Sequence, residues 1–332
     1  SNQSFDGEPL IYDHAETSCV TGKAEQYQMV RRSAYISAIQ FDVFPRADKK
    51  FYVGFVKFGS NGATLLEDKF SVLNPARSET SARWTPDALP VTKSDGDLSV
   101  TLTKVISGAQ LSDENRGPLA NKHLGFQINF DVLQKAQITT NWSPVQMEIS
   151  DSTGNHLKSS MGNQHPKDDP AGFYCNVNLW RENPWKVRLE FSQNSSFDAD
   201  EIWTVTNVPI VTGNAPDVRN FWTNSPAVAE TMIHGIDVKI FPAAIFTNVS
   251  RGYRTVSFMF KTDPPAESEG LQFKLLKVTD DRENQIPNPQ HAEGNGRYSF
   301  LFVNPPDTRT LNATIALHKS RFVEFIVQPT KQ

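Results

Sequence analysis

Apolar and polar residues alternate along this chain with a period of two. Leu98, Val100 and Leu102 form one such set, and Phe126, Ile128 and Phe130 the next. The same spacing returns further on as Ile236, Val238 and Ile240, then Val256, Phe258 and Phe260. Val145-Gln146-Met147-Glu148-Ile149 is matched by Leu271-Gln272-Phe273-Lys274-Leu275. Gly172, Tyr174, Val177 and Leu179 are matched by Gly296, Tyr298, Leu301 and Val303. Period-two alternation marks strands with one buried face, and four matched segments in one order predict two related β-domains. Val145, Met147 and Ile149 are expected inward with Gln146 and Glu148 outward, and Leu271, Phe273 and Leu275 inward in the second unit.

Further alternation runs through Tyr35–Phe44 and Phe51–Phe58. The turn at Gly59-Ser60-Asn61-Gly62 then leads toward Phe70-Ser71-Val72-Leu73. Residues 1–30 are polar and irregular and read as an N-terminal arm. Residues 74–96 carry Pro75, Pro86 and Pro90 and read as a long loop anchored by Trp84. Pro209, Gly213, Pro216 and Pro226 crowd the stretch after Ile202-Trp203-Thr204-Val205, so 211–231 reads as a linker. No amphipathic helix longer than three turns is legible. The expected fold is all-β: tandem antiparallel β-sandwiches of immunoglobulin-like architecture, at 31–210 and 232–332. The Cys…Trp…Cys spacing of antibody domains is not in the sequence.

Composition narrows the function classes. Hydrophobic residues make up 38 % of 332 residues, but 22 of them are Phe, which suits thin β-layers filled by bulky side chains. The net charge of −4 offers no basic face, so nucleic acid is not an expected partner. No apolar run reaches the roughly 18 residues of a membrane-spanning helix. The chain begins at Ser1 without an apolar leader and reads as a processed or cloned mature segment. Two cysteines, Cys19 and Cys175, are compatible with one disulfide or with two buried thiols. If the protein is exported, a Cys19–Cys175 bridge would hold the N-terminal arm on the first sandwich.

One stretch carries a more specific string. It reads Asn141-Trp142-Ser143-Pro144, then Ile149-Ser150-Asp151-Ser152-Thr153-Gly154-Asn155, then Leu179-Trp180 through Trp185-Lys186-Val187 to Phe191, and closes with Glu201-Ile202-Trp203. It resembles a group of uncharacterised bacterial envelope proteins with an Asp-x-x-Gly-Asn turn and a Leu-Trp…Trp-Lys strand pair. The resemblance covers about 70 to 110 residues. It implies a bacterial, exported protein with an extracellular, periplasmic or cell-surface location, and it carries no activity.

Candidate chemistry is sparse. Trp142, Trp180 and Trp185 could stack on sugar rings, and the last two flank a proline-containing turn; core packing is the competing role. His165, Asp168 and Asp169 in one loop have metal-ligand types without ligand spacing. Asp151 and Asn155 could offer oxygens to calcium, with Asp280 and Asp281 at the corresponding turn of the second unit; Asp and Asn also suit turns for backbone reasons alone. No nucleophile-elbow or cysteine-protease pattern is present. The sequence therefore points to a non-catalytic exported bacterial binding or structural protein without a cofactor. Its expected partners are other envelope proteins or an extracellular glycan. A carbohydrate-binding accessory module is the first alternative, and a hydrolase on a β-scaffold the second.

Overall fold

The computed structural model describes residues 7–12, 18–21, 23–28, 35–40, 43, 45–59, 62–65, 70–75, 83–109, 125–160, 172–175, 179, 183–211, 222, 225–248, 253–287, 289–303 and 308–331. The fold is nearly all β, built from several antiparallel sheets in a sandwich-type architecture. The first strands are β1 (Gly7–Tyr12), β2 (Ser18–Thr21), β3 (Lys23–Gln28), β4 (Tyr35–Gln40), β5 (Lys50–Gly59), β6 (Gly62–Leu65) and β7 (Phe70–Leu73). Next come β8 (Val91–Asp95), β9 (Leu98–Ala109), β10 (Gly125–Gln134), β11 (Gln137–Ile138), β12 (Trp142–Asp151), β13 (His156–Ser160), β14 (Gly172–Cys175) and β15 (Trp185–Gln193). They are followed by β16 (Ile202–Val211), β17 (Ala229–Ile233), β18 (Ile236–Ile240), β19 (Ala243–Asn248), β20 (Tyr253–Asp263), β21 (Leu271–Asp280), β22 (Gln290–Gly294), β23 (Arg297–Val303) and β24 (Thr310–Lys319). The last two strands are β25 (Arg321–Val327) and β26 (Thr330–Lys331).

The chain divides into two compact units, and they are nested rather than consecutive. Ser192–Ser320 form one unit; Ser1–Phe191 together with Arg321–Gln332 form the other. The boundary expected at 211–231 therefore falls inside the second unit. The reason is strand pairing. β16 pairs antiparallel with β24, which places it in the second unit. β25 pairs antiparallel with β15 in unbroken register, from Trp185↔Val327 to Phe191↔Arg321. Val323, Phe325 and Val327 of β25 lie in the first unit's core. The arm expected over 1–30 also differs: it holds three strands, and β1 pairs with β5 from Gly7↔Lys57 to Tyr12↔Tyr52. Long-range pairing there overrides a weak local pattern.

In the first unit, one sheet runs β13-β12-β15-β25; the other runs β11-β10-β9-β26, with β8 on β9 and β14 on β10. Leu98, Val100, Leu102, Phe126 and Ile128 from one sheet, and Met147, Ile149, Trp185, Val187, Leu189 and Phe191 from the other, make a single core. The second unit repeats this plan: β17-β18-β20-β23 matches β8-β9-β10-β14. β21 and β24 match β12 and β15. The long β9 corresponds to β18 and β19 together, since both pair along β20 as β9 pairs along β10.

One correspondence explains the nesting. In the second unit, β16 first pairs antiparallel with β24, then crosses to the other sheet, where Ile210 and Val211 run parallel to Ala243 and Ala244 of β19. In the first unit, β25 pairs antiparallel with β15, and Thr330 and Lys331 of β26 run parallel to Ile106 and Ser107 of β9. The same sheet-crossing strand opens the second unit and closes the first. Each unit has the same arrangement, circularly permuted relative to the other.

The expected strand faces are found in part, since Val145 is no more buried than Gln146. Met147 and Ile149 are buried, and Val145, Gln146 and Glu148 are half-buried. Leu271 is buried, and Phe273 and Leu275 pack against the second core. A bulge between Leu275 and Lys277 then shifts the register, so that Val278 takes the core position. Phe258, Phe260, Phe273, Tyr298 and Phe300 fill that core as a connected aromatic group, with Phe273 and Tyr298 stacked at 4.1 Å. Trp185 is fully buried and meets Phe126 edge-on at 5.5 Å. Trp185→Ala is expected to cost about 3–5 kcal/mol of first-unit stability in denaturant unfolding. A loss below about 1 kcal/mol would contradict this packing.

Candidate functional site

Each unit has an Asp-x-x-x-Asn turn at the end of a core strand. Asp151 closes β12 and is buried. Its Oδ1 accepts from the Thr153 amide at 2.9 Å, the Thr153 hydroxyl at 2.7 Å and the Asn155 amide at 3.1 Å. Its Oδ2 accepts from Asn155 Nδ2 at 2.8 Å. Asn155 Oδ1 in turn accepts from Arg46 Nε at 3.2 Å. Both carboxylate oxygens are thus satisfied by the turn itself. Asp151 and Asn155 staple the turn with their own side chains.

The second unit repeats the turn. Asp280 Oδ1 accepts from the amides of Arg282 and Asn284 at 2.9 and 2.8 Å, and Oδ2 from Asn284 Nδ2 at 2.9 Å. The Asn284 side chain, helped by these two amides, holds the Asp280 carboxyl below the usual carboxylate range. The fourth residue of each turn is left-handed: Gly154 at φ 95° and Glu283 at φ 64°. Glycine suits that position in the first turn; glutamate is strained in the second.

The remaining sequence candidates fare unevenly. Trp185 is fully buried and Trp142 nearly so, with the Arg321 guanidinium 5.9 Å from the Trp142 ring. These two indoles are core and near-core groups rather than sugar platforms, because the alternation of β12 and β15 turns them inward. Trp180, His165, Asp168 and Asp169 lie outside the described residues. Among the described residues, no three His, Cys, Asp or Glu side chains group as a metal site. Cys175 is a free, buried thiol packed in the first core, so the Cys19–Cys175 bridge is not formed in this structure. Burial pushes this thiol's pKa up to about 12, which leaves it unreactive. The side chain of Cys19 lies outside the described residues.

The richest polar cluster was invisible in the sequence. Ser192 and His318 are both buried, and Ser192 Oγ lies 3.1 Å from His318 Nε2. His318 Nδ1 lies 3.2 Å from the Lys319 carbonyl oxygen. Phe197 covers the ring at 5.1 Å. Glu201 Oε1 is 3.6 Å from His234 Nε2, and Glu201 Oε2 accepts from the Asp198 amide at 3.0 Å. Lys274 donates to the Gln193 carbonyl at 3.1 Å and to Asn194 Oδ1 at 2.8 Å. Ser192 and His318 are 126 residues apart, and no local motif links them.

Exposed apolar side chains mark a different kind of surface. Leu73 on β7, Ile138 on β11, Met232 on β17 and Val303 at the end of β23 are 76, 81, 68 and 64 % exposed. β17 ends its sheet, and β11 is a two-residue strand in a hairpin with β10. No helix among the described residues is long and apolar enough to cross a membrane. Neither protein-family models nor curated protein sequences match the chain.

Two outcomes test the turn assignment. Asp151→Ala is expected to destabilise the first unit by about 1–3 kcal/mol, the cost of orphaned turn donors, and added calcium should not shift the unfolding midpoint. Calcium-dependent stabilisation lost in Asp151→Ala would restore the metal reading. Glu283→Gly is expected to stabilise the second unit by about 1 kcal/mol, because glycine adopts the left-handed conformation without strain.

Acid gives a separate check on the second turn. Because the Asp280 pKa is lowered on folding, its stabilisation is complete above the unfolded carboxylate value and is lost as pH falls through the lowered one. The stability gap between the wild type and Asp280→Asn should therefore be widest above about pH 5 and should shrink below about pH 4. A gap that stays constant down to pH 2 would contradict the assignment.

Proposed function

We propose that this protein is a non-catalytic, exported bacterial binding or structural protein that meets its partners through strand edges and hairpin ends. The observation that carries the reading is where polar and apolar groups are spent. The carboxylates and amides of the two Asp–Asn turns are consumed in holding the turns. Large apolar side chains instead project at β7, β11, β17 and the end of β23. Exposed residues of this kind at the margins of rigid sheets suit protein recognition. The likeness of residues 141–210 to bacterial envelope proteins supports an exported location and envelope proteins as partners.

The test is fractionation and binding. In the producing bacterium, the protein should appear with the envelope or in the medium. Purified protein should bind isolated envelope fractions saturably. Leu73→Asp, Ile138→Asp and Met232→Asp should leave the melting temperature nearly unchanged, since they alter exposed positions. At least one should weaken envelope binding about tenfold. Cytoplasmic fractionation, or turnover of a glycan or peptide substrate, would overturn the reading.

A further inference from the structure

The residues where the chain enters and leaves the second unit are tied to one another through a buried histidine. Ser192 is the unit's first residue; His318 precedes its last residue, Ser320, by two. The Lys319 carbonyl can only accept, so His318 Nδ1 carries the proton in the neutral ring. Nε2 then accepts from the Ser192 hydroxyl. Leu317 N donates to the Glu201 carbonyl at 2.9 Å, and Ser320 N to the Gly270 carbonyl at 2.9 Å. The segment 192–201 is therefore fastened to β24 at both of its ends.

We propose that the Ser192–His318 pair is an acid-sensitive latch: when His318 gains a proton, the 192–201 segment loosens from β24. Three charged or titratable groups from other elements face the ring. Lys274 on β21 and His234 in the β17–β18 turn oppose a positive ring, and Glu201 favours it. Glu201 has both oxygens engaged, one near His234 and one on the Asp198 amide. The ring is 1 % exposed and covered by Phe197, so water does not compensate a new charge. Burial accordingly pushes the His318 pKa below its ordinary value, with the Lys319 carbonyl partly opposing. A basic group lowered in this way costs nothing above the unfolded value. As pH falls below about 6.5, protonation favours states in which the ring reaches water.

Hydrogen exchange of the full chain at pH 7.5 and 5.0, corrected for intrinsic rates, tests the latch. Protection of 192–201 and 315–320 should fall at least threefold at pH 5.0, while β9 and β10 keep theirs. His318→Gln, whose amide oxygen can still accept from Ser192, should abolish the difference. An equal acid response in His318→Gln, or none in the wild type, would overturn the proposal. Should His318→Gln not fold, His234→Gln serves instead. It frees Glu201 to compensate the ring and should at least halve the response; an undiminished response counts against the latch. In proton NMR, His318 should titrate below the ordinary imidazole value of about 6.5, and titration at or above that value would also overturn it.

Discussion

The return of the chain to β25 is the constraint on which the first unit depends. β15 carries Trp185, Val187, Leu189 and Phe191 into the core, and its backbone needs a partner on the side away from β12. β25 is that partner, along seven paired residues. It brings Val323, Phe325 and Val327 with it. Its outer edge is held as well. Asp95 Oδ2 accepts from the Phe322 amide at 2.9 Å, and the Asp87 amide donates to the Ile326 carbonyl at 2.7 Å. These are backbone groups that would otherwise be unpaired at a sheet edge. The Thr330 hydroxyl then donates to the Val105 carbonyl beside β26. A strand separated from its neighbour by 129 residues of a second unit is thus integral to the first.

Much of this was legible from alternation alone. The all-β class, the paired strands and the burial of Met147, Ile149 and Leu271 follow from a period of two, because one face of each strand packs on a core. The correspondence of the two turns was legible at Asp151 and Asp280, but the part played by Asn284 was not. The nesting was not legible. Alternation identifies a strand but not its partner, and Arg321–Val327 alternates as well for one unit as for the other. Prolines around 209–226 suggested a break between units, yet pairing of β16 with β24 places Ile202–Pro209 in the second unit. In 1–30 the reverse held: weak periodicity concealed β1, whose register is fixed by β5.

The candidate sites show the same division. Trp142 and Trp185 were notable as residue types, but strand parity sends both inward. Asp151 and Asn155 had ligand chemistry, but both carboxylate oxygens of Asp151 accept hydrogen bonds from within the turn. The Ser192–His318 contact had no sequence signal because it arises only when the two ends of an inserted unit meet.

The central claim is that the first unit is completed by the chain's final strands. The most direct measurement is hydrogen exchange on a chain truncated after Ser320, compared with the full chain. Loss of protection throughout β9, β10, β12 and β15, with β18, β20, β21 and β24 still protected, is the predicted result. Undiminished protection in β15 and β9 of the truncated chain would show that the first unit stands without β25 and β26, and would contradict the account.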